Sequence, residues 1–156
     1  LEHLIHVDFS FYLLHIFSAL NESTWEHMKL LVAPTILVGI LQYIFLKGSY
    51  QNLFNSIFIL LLVEVTSIPL LFEPLRLLLK KVPFSLTILI FILSILFGLL
   101  TQSSFLKNSI SLFSEEIALL LSLGIVGIFA IFSYYPPKIF LFKDPITGKY
   151  GDVKEH

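Results

Sequence analysis

The chain reads as an all-α, polytopic transmembrane helix bundle, and three observations carry that reading. Mean hydropathy is +0.90. Hydrophobic residues fill 56% of the 156 positions and charged ones only 13%. Apolar runs of about 20 residues recur, the length an α-helix needs to cross a hydrocarbon core of roughly 30 Å. These runs are continuous rather than alternating, which argues against a β-barrel. A net charge of −1 offers no electrostatic case for nucleic acid, so the expected partner is the lipid bilayer; protein partners are unknown. With no Cys there is no disulfide, thiolate metal site or Cys nucleophile. The sequence opens at Leu1 without a Met, so the true N-terminus is expected upstream, and a signal peptide is not judged.

Taken in order, residues 1–20 are apolar but broken by Glu2, His3, His6, Asp8 and His15. Their start reads as the end of a truncated span and the remainder as a connection. A dense polar cluster follows, Asn21-Glu22-Ser23-Thr24-Trp25-Glu26-His27-Met28-Lys29, set directly before a long apolar run. Ser23-x-x-Glu26 has the form of a capping box, with Asn21 a rival N-cap. A helix therefore starts near residue 22 and continues through Lys29–Phe45, with a kink expected at Pro34 and an end at Lys47-Gly48. The second span is Leu53–Phe72, closed by Glu73-Pro74, with Glu64 at mid-depth. Leu75–Val82, carrying Arg76, Lys80 and Lys81, reads as a short interfacial amphipathic piece. The third span is Phe84–Leu106. The fourth is Glu115–Tyr134, where Gly124 and Gly127 offer close helix approach. Tyr134, Tyr135, Pro136 and Pro137 mark an aromatic belt and a helix stop. The expected division is a bundle over 1–135, five spans in the full protein, and a turn-rich tail over 136–156.

Basic residues set the orientation. Alternation across the four clear spans puts Lys29, Arg76, Lys80, Lys81, Lys138, Lys143, Lys149 and Lys154 on one side, and only Lys47 and Lys107 on the other. The positive-inside rule then places the 21–29 cluster and the C-terminal tail in the cytoplasm of a cell-membrane protein. The Asn21-Glu22-Ser23 sequon would be unused on that side.

The run Asn-Glu-x-x-Trp-Glu-His-x-Lys at 21–29 carries a resemblance, together with the ending Pro136-Pro137-Lys138-Ile139-Phe140-Leu141-Phe142-Lys143-Asp144-Pro145-Ile146-Thr147-Gly148-Lys149-Tyr150-Gly151. The chain resembles a family of small uncharacterised multi-pass membrane proteins of bacteria and some archaea that carries a domain-of-unknown-function label. The resemblance covers nearly the whole chain, though only these two motifs are specific. It implies five helices, with residues 1–8 ending the first, and that both motifs matter. It implies no activity.

The residues themselves suggest three kinds of chemistry. Glu22 and Glu26, at i,i+4, are expected to share a helix face. Two carboxylates so placed could hold a divalent cation with His27, or work as acid and base with His27 and Asp144. The plainer reading is a cap, a Glu26–Lys29 pair and Trp25 as an interface anchor. Glu64 is the second candidate, since a carboxyl in mid-span is expensive and by default functional. It would serve a small proton- or ion-coupled carrier, or hydrogen-bond to Thr66, Ser67 or Gln42 to hold two helices together. The tail is the third: it shares a side with the cluster, so Glu26, His27 and Asp144 are expected to meet in one polar pocket. The leading expectation is an integral membrane protein whose polar cytoplasmic site is built from the cluster and the tail. A transporter using Glu64, a membrane-embedded metal-assisted or acid–base enzyme, and a scaffold are the alternatives. Substrate, metal and cofactor are left open.

Overall fold

The structure is a computed structural model that describes residues 22–79, 82–144 and 146–150. The described residues form four α-helices: α1 Thr24–Leu46, α2 Leu53–Leu78, α3 Phe84–Lys107 and α4 Glu115–Tyr134, followed by a single 3₁₀ turn at Phe140–Phe142. Each of the four is long and apolar enough to cross a membrane. The expected first span and residues 1–21 lie outside the described residues, as do Lys80, Lys81 and the end of the tail.

Helix α2 is the centre of the bundle and packs against the other three. Half of its most apolar stretch is buried, against 17–28% in the other helices, which turn most of their surface outward. Large apolar residues such as Leu70, Ile92, Leu100 and Leu120 stay exposed, as a lipid-facing surface requires. On α3 the buried residues are Ile90, Ser94, Gly98 and Gln102. They recur every fourth position, so small and polar side chains form one stripe facing α2.

Local chemistry accounts for the ends. Ser23 is the N-cap of α1, its hydroxyl accepting from Glu26 N at 3.4 Å. Ser114 caps α4 in the same way through Ile117 N. At the start of α2 the cap comes from elsewhere in the chain. The Glu115 carboxylate accepts from Phe54 N (2.7 Å), Asn55 N (3.2 Å) and Asn55 Nδ2 (2.6 Å). The Asn55 Oδ1 in turn accepts from the backbone N–H groups of Leu112 and Phe113. A carboxylate at a helix N-terminus satisfies orphan N–H groups and opposes the positive end of the dipole.

Two expectations change here. Pro74 does not end the second span: α2 is one helix to Leu78, running through Pro69 and Pro74 and absorbing the first half of the expected interfacial piece. Tertiary contacts beyond the prolines outweigh the lost N–H bonds. Phe72 and Leu75 join the core, Glu73 pairs with Arg76 at 3.1 Å, and Leu79 N closes the last turn onto Leu75 O at 2.8 Å. Helix α1, as expected, continues through Pro34. The second change concerns glycine. Among the described residues a Cβ at Gly124 or Gly127 would meet nothing within 4 Å, so neither brings two of the four helices close. The close approach is at Gly98, where a Cβ would come within 2.8 Å of Glu64 Cγ and 2.9 Å of Leu60 Cδ1. Its missing side chain lets α3 lie against the mid-span carboxyl of α2.

Candidate functional site

The candidate site begins with the first turn of α1, where residues 23–29 are all buried. This is a polar turn inside the protein rather than on its surface. Trp25 is sandwiched between Phe129 of α4 and Phe142 of the 3₁₀ turn, with both ring centroids at 4.3 Å and interplanar angles of 13° and 24°. It is therefore a core residue joining three parts of the chain rather than a headgroup anchor. This stack also brings the tail onto the cluster.

The charged members of the cluster find separate partners. Lys29 is fully buried, and its Nζ lies 2.7 Å from Glu26 Oε2. Glu22 and Glu26 do not share a helix face. Ser23 is extended and the helix begins at Thr24, so Glu22 precedes the first turn, with an exposed side chain. It approaches His27 instead, Nε2 to Oε2 being 3.7 Å. The His27 ring is buried against Phe72 of α2 and Phe91 of α3, with centroids at 4.8 and 5.8 Å. Its Nδ1 is buried with no hydrogen-bond partner among the described residues. One turn beyond Phe72, Arg76 Nη1 is in the same condition. Thr24 Oγ1 donates to Glu73, whose second carboxylate oxygen holds Arg76 Nη2, so this corner is knitted across α1 and α2.

Asp144 takes a different place from the one expected. It is buried, but its carboxylate serves its own loop: Oδ1 accepts from Ile146 N at 2.9 Å, and Oδ2 from Thr147 N at 3.3 Å and Thr147 Oγ1 at 2.6 Å. Gly148, at φ +71°, completes the turn, and Lys143 and Tyr150 form a β-bridge across it. Asp144 thus shapes the loop, while Phe142, two residues earlier, makes the contact with α1. Among the described residues, no three His, Asp or Glu side chains are grouped so as to hold a metal ion.

Glu64 lies deeper, buried in mid-span, and its partner is Thr35 of α1 rather than Thr66, Ser67 or Gln42. Thr66 donates to Leu62 O on its own helix, and Gln42 forms a reciprocal amide pair with Gln102 of α3, at 3.0 and 2.7 Å. Thr35 Oγ1 also lies 2.7 Å from Leu31 O. A hydroxyl has one proton to give, so a protonated Glu64 donating to Thr35, which donates to Leu31 O, gives each of the two hydroxyl protons one acceptor. One turn from Gly98 on the same stripe, Ser94 Oγ is buried without a partner among the described residues. The interior of the bundle thus carries polar groups at several depths: Glu26–Lys29 and His27 at one end, Thr35–Glu64 in the middle, then Gln42–Gln102, then Asn55–Glu115 at the other end. Sequence reasoning passed over Thr24, Thr35, Glu73 and Glu115. The one signal for such pairs was the four-residue spacing of Ser94, Gly98 and Gln102.

No curated protein and no solved structure matches the chain. A family of unknown function (DUF6512) does match it, over residues 2–152. The chain belongs to that family.

Proposed function

We infer that this is an integral membrane protein that binds a small anionic ligand at the cytoplasmic end of the bundle, in the corner between α1 and α2 beside the docked tail. The observation that carries this reading is two buried nitrogens, His27 Nδ1 and Arg76 Nη1, with no hydrogen-bond partner among the described residues, in a corner where the neighbouring carboxylates are already engaged. A buried polar atom without a partner is costly and calls for an explanation, and a bound ligand supplies one. Arg76 can only donate, and a neutral imidazole with its proton on Nδ1 adds a second donor. An acceptor-rich group, a phosphate or a carboxylate, completes the set. The cytoplasmic placement follows from the eight basic residues assigned to this side of the membrane.

The test is thermal unfolding of the detergent-solubilised protein with inorganic phosphate as probe, at constant ionic strength. Binding to the folded state raises stability by about 2.7 kcal/mol at a hundredfold excess over Kd. Phosphate is expected to stabilise the wild type and Lys47→Gln, which lies at the other end of α1, but not His27→Gln or Arg76→Gln. Equal increments in all four proteins, or none in the wild type, would remove the reading.

A second reading rests on Glu64. Its carboxyl is held by α1 through Thr35, carried by α2, and faces the bare Cα of Gly98 on α3. Polar pairs lie above and below it, which suits a proton carrier. Reconstituted in liposomes with a pH-sensitive dye inside, the wild type would dissipate an imposed proton gradient. Glu64→Gln, which keeps the hydrogen bond to Thr35 but holds no titratable proton, would not. Equal rates in wild type, Glu64→Gln and empty liposomes would end this reading.

A further inference from the structure

We propose that the groove between α1 and α4 is a binding site for one phospholipid of the leaflet on the Lys47 side, its acyl chain in the groove and its phosphate at Lys47. Helices α1 and α4 meet at Trp25 and Phe129, and further along they leave a cavity of about 390 Å³ floored by α2. Its walls include Thr35, Ile40 and Tyr43 of α1, Leu61 of α2, and Leu123 and Val126 of α4, so it is almost wholly apolar.

Depth is the first argument for the occupant. Thr35 is at the middle of α1 and Tyr43 near its end, about 12 Å apart at 1.5 Å of rise per residue. That is close to the depth of one leaflet of a hydrocarbon core roughly 30 Å thick. The groove therefore runs from the membrane surface to mid-bilayer and stops there, as an acyl chain does. Charge is the second. At its outer end the groove shares Tyr43 and Phe54 with a polar pocket of about 430 Å³ that holds Lys47, Ser49 and Gln51. Lys47 Nζ sits 5.4 Å from the centre of the Tyr43 ring, at the junction of the two. Glu115 also lines this pocket, but its oxygens are taken by Phe54 N, Asn55 N and Asn55 Nδ2, leaving Lys47 to face an incoming phosphate. An apolar slot one leaflet deep with a cation at its mouth matches a phospholipid in shape and charge.

The experiment uses the full chain in bilayers containing a phospholipid with a photoactivatable acyl chain, with native mass spectrometry of the purified protein alongside. Labelling is expected to concentrate on Ile40 and Leu123 over the comparably exposed Ile92 and Phe97 of α3, with one phospholipid retained per chain. Ile40→Trp and Leu123→Trp fill the groove from opposite walls at lipid-facing positions, so the fold tolerates at least one of them. Each well-folded variant should reduce labelling and retention several-fold. Lys47→Gln should weaken retention while leaving phosphate stabilisation through Arg76 intact, which separates this site from the one at the other end. Even labelling of every lipid-facing helix would overturn the proposal. So would labelling unmoved by the Trp variants, or a groove found covered by residues 1–21 or by a second copy of the chain.

Discussion

Replacing Trp25 by Ala is expected to destabilise the protein by about 3 kcal/mol, the lower end of the range for removing a buried Trp, and to release the tail. Within the bilayer interior, burying apolar surface gains little, because lipid is as apolar as a packed helix. Packing and ring contact then carry most of the value of a side chain. Trp25 has both, with rings at 4.3 Å on its two faces and a third, Phe132, at 5.7 Å. One of the stacking partners, Phe142, lies in a tail that a helix stop at Pro136-Pro137 has already turned out of the bundle. Without Trp25 that tail loses its hold on α1. Phe142→Ala should remove the same contact from the other side. The double variant should cost less than the sum of the two by about 0.5–1.5 kcal/mol, the coupling typical of an aromatic pair. Unfolding in detergent measures the energies. Limited trypsin digestion at Lys143 and Lys149 measures the release, and unchanged protection of those sites in Trp25→Ala would mean that something else holds the tail.

How much of this was legible in the sequence depends on how local the determinants are. The four helices were readable because a span of about 20 apolar residues is a one-dimensional property, and the Ser23 cap, the Glu26–Lys29 pair and the other span ends followed from neighbours within four residues. The end of α2 was misread because proline is a local signal and the contacts that override it are not: Glu73 is held by Thr24, 49 positions away. Glu115 and Asn55 are separated by 60 positions, and so are Gln42 and Gln102. Nothing in either segment alone announces its partner. For glycine the sequence reading chose Gly124 and Gly127 for close approach, and the position that serves is Gly98. The spacing Ser94, Gly98, Gln102 was the discriminating pattern, since a stripe of small and polar residues on an otherwise apolar helix must face protein. The cluster itself was found, but its depth was not. Polar residues beside an apolar run suggest a surface, and only packing reveals that the tail and the three other helices cover them.

That burial makes Lys29 the other residue whose loss should be most costly. A lysine at a membrane surface ordinarily extends its ammonium to water and contributes little. Lys29 has no exposed surface, and its Nζ is 2.7 Å from Glu26 Oε2 on the next turn. Breaking such a pair by removing one partner takes the nearest counter-charge from the other in a poor solvent, at a cost of about 3–5 kcal/mol. Lys29→Met is therefore expected to unfold the protein at much lower denaturant. Adding Glu26→Gln should recover most of the loss, because a neutral pair of similar volume needs no counter-charge. Lys29→Arg should not rescue fully, since a planar guanidinium needs room that a filled site lacks. The comparison separates two roles for the conspicuous Glu-His-x-Lys run. If Glu26→Gln/Lys29→Met is stable and still binds phosphate through His27 and Arg76, the ion pair is structural and the binding corner is distinct from it. A double variant that folds but no longer binds phosphate would bring Glu26 and Lys29 into the site itself. A Lys29→Met variant as stable as wild type would show that the pair is hydrated and that the turn is less enclosed than its packing indicates.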